Sequence, residues 1–215
     1  MDRRELLKMI AAATGGVVIG GEFFLAGCKN PDAGVGTSAT FTESDIAFLD
    51  EVAETIFPKT STPGAKEAKV GQYMTVMVTD CYEEKDQKTF HEGMKKLDEA
   101  CNKMHGHSFM KAAPEHRKEL LTSIDKEAKE YQDKRKKFSD QQTEKAKEEN
   151  AKGNKDFKKE TMPPHYFTLM KQLTIAGYFT SKEGREGATN YQPVPGKYQG
   201  DVPYKKGDRV QTGLS

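Results

Sequence analysis

Tryptophan is absent from this chain of 215 residues, and aromatic side chains make up only 9% of it. Hydrophobic residues amount to 35% and charged residues to 31%, so the core must be modest and much of the surface must be charged. The formal net charge is only +1, which provides no overall attraction to nucleic acid or anionic lipid. The length suits a single domain with one core. We therefore expect a small, highly charged domain that does not bind nucleic acid.

The signature motifs of several enzyme classes are also missing. The sequence contains no Cys-x-x-Cys-His for covalent haem, no Gly-x-Gly-x-x-Gly for a dinucleotide, no Gly-x-Ser-x-Gly turn and no phosphate-binding loop. His105 and His107 are the only close histidine pair, and they lie where a predicted helix ends, a favourable place for histidine. A helical metal site would prefer spacings of three or four residues with carboxylates nearby. We predict no catalytic residue and no metal site in this chain.

The first 28 residues have the layout of an export signal. Arg3 and Arg4 precede a moderately apolar stretch rich in Ala and Gly, which ends at Leu25-Ala26-Gly27-Cys28. The arginine pair resembles the twin-arginine signal, whose machinery carries folded proteins across a membrane. The ending resembles a bacterial lipobox, in which Cys28 becomes the first mature residue and carries the lipid. The stretch is shorter than the ~20 apolar residues that a membrane span needs, and Glu22 interrupts it.

This arrangement predicts a lipoprotein that is exported by the twin-arginine route and anchored on the periplasmic side of the bacterial envelope. Residues 1–28 would be the signal peptide and residues 29–40 a flexible tether. Two alternatives stay open: the arginine pair could begin a cytosolic amphipathic helix, and Cys28 could be a buried structural cysteine.

Apolar residues recur at helical spacing through most of the remaining chain. Thr42 and Asp45 can cap a first helix that Pro58 stops, and Phe41 can pack on Ile46 as a hydrophobic staple. Further apolar helix faces run from Val70 to Cys81, from Phe90 to Met104 with Gly106 as the end, from Pro114 to Ala128, and from Phe167 to Gly177. No alternating strand pattern occurs in the first half, so we predict an all-α, irregular helical bundle over residues 41–181.

Two segments depart from this pattern. Residues 126–160 are mostly charged, which predicts a long, exposed helical extension that frays near Gly153. Residues 182–215 are rich in Tyr, Pro and Gly, which predicts an extended tail. Rigid aromatic side chains of this kind are typical of contact surfaces. The candidate partner contacts are Tyr178, Phe179, Tyr191, Tyr198 and Tyr204. The alternative is a tail that lies on its own helices.

The three cysteines permit one disulfide bond. If Cys28 is lipidated, Cys81 and Cys101 remain as an even pair in an oxidising compartment. They lie on consecutive predicted helices, so a bond between them would join a helical hairpin. The alternative is two reduced cysteines whose Cα atoms lie too far apart.

Several short segments together resemble the gluconate 2-dehydrogenase subunit 3 family. They are the exported start, the stretch from Phe41-Thr42-Glu43-Ser44-Asp45 to Ile56-Phe57-Pro58, the loop Pro63-Gly64-Ala65 followed by Val70, and Leu173-Thr174-Ile175-Ala176-Gly177-Tyr178-Phe179-Thr180-Ser181. The resemblance runs from about residue 41 into the tail. The lipobox and the charged segment 126–160 depart from the simplest family pattern.

This resemblance implies a small, largely helical, non-catalytic subunit with no cofactor of its own. Its expected partner is a large FAD-dependent dehydrogenase of the glucose–methanol–choline class that oxidises a sugar, sugar acid or polyol, often alongside a cytochrome c subunit. The small subunit would assist assembly, and its signal would export the pair together. Two other functions stay open: a free-standing lipoprotein that binds a small ligand or an envelope component, and a redox carrier that uses His105 and His107 or the Cys81–Cys101 pair.

The lipobox interpretation makes one direct prediction. The variant Cys28→Ala lacks the thiol that would carry the lipid, so we expect the exported protein to leave the membrane fraction and appear in the soluble fraction. Fractionation followed by immunoblotting measures the change, with Cys81→Ala as the control that keeps Cys28. A Cys28→Ala protein that stays with membranes would contradict lipid anchoring.

Overall fold

The computed structural model describes residues 40–194, 196, 201 and 203–213. The predicted signal and lipidation residues Arg3, Arg4 and Cys28, nearly all of the predicted tether, and Tyr198 lie outside the described residues. Within the described residues, no helix combines the length and apolar character that crossing a membrane requires.

Six α-helices form the described part of the chain, which confirms the all-α prediction. They are α1 (Glu43–Ile56), α2 (Val70–Cys81), α3 (Glu84–His105), α4 (Pro114–Ala151), α5 (Tyr166–Thr180) and α6 (Lys182–Ala188), with a 3₁₀ turn at Phe109–Lys111. Two short strands, β1 (Asn190–Tyr191) and β2 (Gln211–Thr212), pair in parallel. Helix α5 packs against α1, α2, α3 and α4 and is therefore the centre of the bundle.

The helix ends that were predicted from local sequence are present. The Thr42 hydroxyl accepts a hydrogen bond from the Asp45 backbone N–H at 3.3 Å, and the Asp45 carboxylate accepts one from the Thr42 N–H at 2.8 Å. Helix α3 ends at Gly106, which has φ of 77°, a left-handed conformation that glycine adopts without strain. Phe41 packs against the rings of Phe90 and His91, with centroids 6.1 and 4.2 Å away, and so joins the start of α1 to α3.

The central helix approaches its neighbours closely at two glycines. A Cβ atom at Gly93 of α3 would lie 2.3 Å from the Cβ of Tyr166, and one at Gly177 of α5 would lie 2.6 Å from Cδ1 of Tyr73. Tertiary contact therefore selects the smallest residue at two helical positions where alanine would be the better helix former. The most fully buried large side chains around this helix are Leu49, Met74, Phe90, Leu97, Phe109, Leu120 and Met170.

The buried His165 caps the N-terminus of α5. Its Nδ1 atom accepts a hydrogen bond from the Phe167 backbone N–H at 3.3 Å. Burial lowers the pKa of His165 and outweighs the Glu127 carboxylate 3.9 Å away, which favours the neutral ring that can act as an acceptor. Pro163 and Pro164 precede the helix and do not form its first turn.

The charged extension is helical, as predicted, but it is not exposed on every side. Helix α4 continues to Ala151, and the left-handed Gly153 follows with φ of 88°. The chain then returns along the helix: Tyr131 Oη donates to the Pro163 carbonyl at 3.0 Å and Arg135 Nε donates to the Met162 carbonyl at 2.9 Å. This return segment covers one side of the extension and buries Gln142 and Ala146.

The prediction that the tail is extended from residue 182 is wrong at its start. Residues 182–188 form α6, because the Ser181 hydroxyl accepts a hydrogen bond from the Gly184 N–H at 2.9 Å and caps the helix. A Cβ at Gly184 would lie 2.0 Å from the Tyr178 carbonyl oxygen, so glycine is required for the tight connection between α5 and α6. The described part of the tail beyond Thr189 contains no further helix.

The variant Gly93→Ala tests the close approach of α3 and α5. Alanine in an open helix interior stabilises by up to ~1 kcal/mol relative to glycine. Here the methyl group must displace Tyr166, so we expect the free energy of unfolding to fall by about 1–3 kcal/mol. Denaturant unfolding followed by circular dichroism measures it. The neighbouring exposed position supplies the control, Glu92→Ala, which should change stability by less than about 0.5 kcal/mol.

Candidate functional site

Three of the segments that carry the family resemblance, those at Phe57, at Pro63 and at Tyr178, meet at one end of the bundle. The Phe57 ring stacks on Tyr178, with centroids 4.8 Å apart and 7° between planes, and meets Phe179 edge-on at 5.6 Å. Tyr178 Oη donates to the Pro63 carbonyl at 2.7 Å. A Cβ at Gly187 would lie 2.4 Å from Pro63 Cδ. We call this cluster of Phe57, Pro63, Tyr178, Phe179 and Gly187 the junction, because it joins the α1–α2 loop to α5 and α6.

Carboxylates of α1 hold the loop in place. Glu54 accepts hydrogen bonds from the backbone N–H groups of Lys59 and Lys66, at 2.8 and 2.9 Å. A Cβ at Gly64 would lie 2.3 Å from the Glu54 carboxylate, so a larger residue there would have to displace this carboxylate from the loop. Asp50 accepts from the Gly71 N–H at 2.8 Å, and burial nevertheless raises its pKa. The local sequence did not indicate these contacts of Asp50 and Glu54.

Glu51 connects the loop to α4. Its carboxylate forms ion pairs with Lys66 in the loop and with Arg117 in α4. Arg117 also donates to the carbonyls of Phe109 and Met110, at 2.9 and 2.8 Å. Burial by itself would raise the pKa of Glu51, but the hydrogen bond from Lys66 and the charge of Arg117 outweigh it and hold the pKa below its ordinary value. Each of the carboxylates of Asp50, Glu51 and Glu54 thus binds a backbone N–H group or a basic side chain.

Among the candidate partner contacts, the structure corrects the prediction for Tyr178. Its side chain is only 2% exposed, because it stacks on Phe57 and donates to Pro63, so it cannot contact a partner on the surface. Phe179 is 40% exposed and Tyr204 is 68% exposed, so both are available to a partner. Tyr191 is half-buried, with the Arg185 guanidinium 5.2 Å from its ring centroid.

The tail packs back against α6. The Asn190 N–H donates to the Val210 carbonyl at 2.9 Å, and the hydroxyls of Thr189 and Thr212 are 2.6 Å apart. A polar cavity of about 720 Å³ lies between α6, β1 and the last described residues. It is lined by Glu186, Asn190, Tyr191, Tyr204, Asp208 and Arg209 among others. The alternative of a tail that lies on its own helices thus holds for the segment around β1 and β2.

Three histidines come together at the corner between α3 and α4. His105 and His116 stack at 4.2 Å with 4° between their planes, and His107 lies 5.6 Å from His116. Parallel rings at this separation do not direct two nitrogens at one ion. In the part of the chain that the structure describes, no group of three or more His, Cys, Asp or Glu residues is arranged to hold a metal ion.

Cys81 and Cys101 are both free thiols, the first exposed and the second buried. The structure thus favours the alternative in which the two cysteines do not form a disulfide. Cys81 precedes the start of α3 and Cys101 lies near its end, so about 25 Å of helix separates Glu84 from Cys101. That length is far beyond the Cα separation of about 6 Å that a disulfide bond allows.

Comparison with known families gives one match. The family model described as Gluconate 2-dehydrogenase subunit 3 matches residues 43–196, which is more than half of the chain and includes all six helices. The corresponding comparisons with curated proteins and with solved structures found no match.

The Glu51 ion pairs predict a pH-dependent stability. The variant Glu51→Gln leaves Lys66 and Arg117 without their carboxylate partner, so we expect a loss of about 1–3 kcal/mol in unfolding free energy at neutral pH. Because the folded pKa of Glu51 lies below its ordinary value of 4.5, the wild type has this stabilisation above pH 4.5 and loses it as the pH falls through the folded pKa.

Urea unfolding at several pH values measures the difference between Glu51→Gln and wild type. The control is Glu67→Gln, which removes an exposed ion pair with Lys59 and should cost little at any pH. A difference between Glu51→Gln and wild type that stays constant from neutral pH to below pH 4 would contradict this account.

Proposed function

This chain belongs to the gluconate 2-dehydrogenase subunit 3 family, whose members are accessory subunits of a dehydrogenase complex, and we propose that it assists the assembly, export and membrane tethering of the catalytic subunit of that complex. The match to residues 43–196 carries the proposal, because it covers the whole helical bundle and the junction. The proposed partner is a large FAD-dependent dehydrogenase of the glucose–methanol–choline class that oxidises a sugar, sugar acid or polyol.

The chemistry of the described site supports a role through surface contacts. The charged side chains beside the junction bind backbone groups or each other: Glu54 holds the loop, and Glu51 pairs with Lys66 and Arg117. Phe179 and Tyr204 keep exposed aromatic surface, which is typical of protein interfaces. In this proposal the FAD belongs to the partner and this chain holds no cofactor.

The amino-terminal sequence supports a role in export. A flavoprotein folds around FAD in the cytoplasm, so it needs a route that accepts folded proteins. Arg3 and Arg4 would supply that route to the partner as well as to this chain, and Cys28 would then hold the complex at the membrane.

Affinity purification from membranes tests the proposal. The full chain with a carboxyl-terminal tag, expressed in its own host, should bring down a large subunit that shows flavin absorbance and oxidises a sugar or polyol. The double variant Arg3→Lys/Arg4→Lys should leave both proteins in the cytoplasm, because the transporter requires the arginine pair. The matched control is Lys8→Arg, which preserves charge and leaves the pair intact, and should export normally.

Two results would contradict the proposal. One is repeated recovery of the tagged chain without any flavoprotein. The other is oxidation of a sugar by the purified chain alone, which would make this subunit the catalytic one.

A further inference from the structure

Helices α2 and α5 carry almost no charge in a chain that is 31% charged. Together they span 27 residues, and only Asp80 and Lys171 among them are charged. Asp80 is the next-to-last residue of α2, and Lys171 pairs with Asp125 of α4 at 2.6 Å. The rest of both helices is uncharged on their outer as well as their buried sides.

The outer sides of these helices expose large apolar side chains. Val76 of α2 is 52% exposed, while Ile175 and Phe179 of α5 are 42% and 40% exposed. The two helices pack against each other, with Tyr73 of α2 against Gly177 of α5. We call six exposed residues of this pair the uncharged face: Gln72, Val76, Thr79, Gln172, Ile175 and Phe179. The exposed Asp80, one helical turn beyond Val76, is a charged neighbour of this face at the end of α2.

Folding of the bundle does not explain this composition. The buried sides of α2 and α5 contain residues such as Met74, Val78, Met170 and Leu173, which account for the core contacts. The outer sides face solvent in the isolated chain, where α3 and α4 carry many charged residues. Loss of charge together with exposed apolar and aromatic side chains is the composition of the buried centre of a protein interface.

We propose that the uncharged face is the docking surface for the catalytic flavoprotein subunit, an inference that rests on the proposed function. Two observations favour this occupant. The family to which the chain belongs is that of one subunit of a dehydrogenase complex. The face also continues through Phe179 into the junction, which lies within the matched residues 43–196.

The chemistry of the face defines the surface that binds it. A face with so little charge gives little long-range attraction or charge-based register, which suits a permanent complex more than a transient encounter. The partner therefore presents a matching apolar patch, with hydrogen-bonding groups for Gln72 and Gln172 and without a charged group opposite Val76 or Ile175.

Charge introduced into the face tests the inference. In the native complex, the variant Val76→Lys/Ile175→Lys would bury two ammonium groups, and the one at position 175 has no carboxylate partner on its own helix, so we expect recovery of the flavoprotein with the tagged chain to fall about tenfold or more. The matched control is Met104→Lys/Met110→Lys. It changes two apolar residues of similar exposure, 47% and 42%, near the corner between α3 and α4 and should recover the partner as wild type does.

Circular dichroism and thermal unfolding of each purified chain check that the variants fold. If Val76→Lys/Ile175→Lys does not fold, Gln72→Lys/Gln172→Lys takes its place, because both of these residues are polar and exposed already. Folded face variants that recover the flavoprotein as well as wild type does would overturn the docking surface and leave the proposed function intact.

Failure of the proposed function has a different result. In that case the wild-type chain would recover no flavoprotein at all. Sedimentation of the wild-type chain and of the face variant tests whether a second copy of this chain is the occupant. If the wild type forms dimers and the face variant does not, the face binds a second copy, which also overturns the inference.

Discussion

The bundle depends on how closely α5 can approach the helices around it. Glycine at positions 93 and 177 lets Tyr166 and Tyr73 lie against a neighbouring helix backbone, so the central helix contacts α1, α2, α3 and α4 at once. The same helix then carries Tyr178 to the α1–α2 loop, where its hydroxyl binds Pro63. Core packing and the geometry of the junction therefore have one origin. A change in the position of α5 would alter both.

The junction also shows how a highly charged chain uses its carboxylates. Asp50, Glu51 and Glu54 lie on one helix: Asp50 binds the start of α2, Glu51 pairs with Lys66 of the loop and with Arg117 of α4, and Glu54 binds the loop backbone. Hydrogen bonds from backbone N–H groups and ion pairs compensate for the partial burial of these groups. Charged groups thus fix the backbone beside the junction and are sparse on the outer sides of α2 and α5. This separation distinguishes the structural part of the surface from the part that we assign to the partner.

Features that depend on neighbouring residues could be predicted from the sequence. The capping box at Thr42 and Asp45 and the glycine end at Gly106 are set within one helical turn, and the structure contains both. The burial of Tyr178 also had a signal, because Met170, Leu173, Thr174, Gly177 and Tyr178 follow the spacing of one buried helix face. Phe179, one residue later, is rotated away from that face and remains exposed.

Contacts between distant segments could not be predicted in the same way. Nothing in the local sequence indicates that Glu54 binds the backbone at Lys66, or that residues 160–163 return along α4 and cover Gln142. These contacts depend on the path of the whole chain. The separation of Cys81 and Cys101 could be predicted in part, because the length of α3 alone keeps the two cysteines far apart. The helix Lys182–Ala188 was missed because Ser181, Gly184 and Gly187 are typical of turns. In the structure Ser181 caps the helix, and the two glycines allow close contacts with Tyr178 and Pro63.

The position of α5 late in the sequence has a consequence for biosynthesis. A ribosome must complete α1 through α4 before the central helix emerges, so the apolar sides of the earlier helices have no common partner for most of translation. The contacts that close the core join residues far apart in the chain, and such contacts form slowly. A nascent chain that ends before Tyr166 is therefore a poor substrate for a transporter that accepts only folded proteins. It is a good substrate for chaperones.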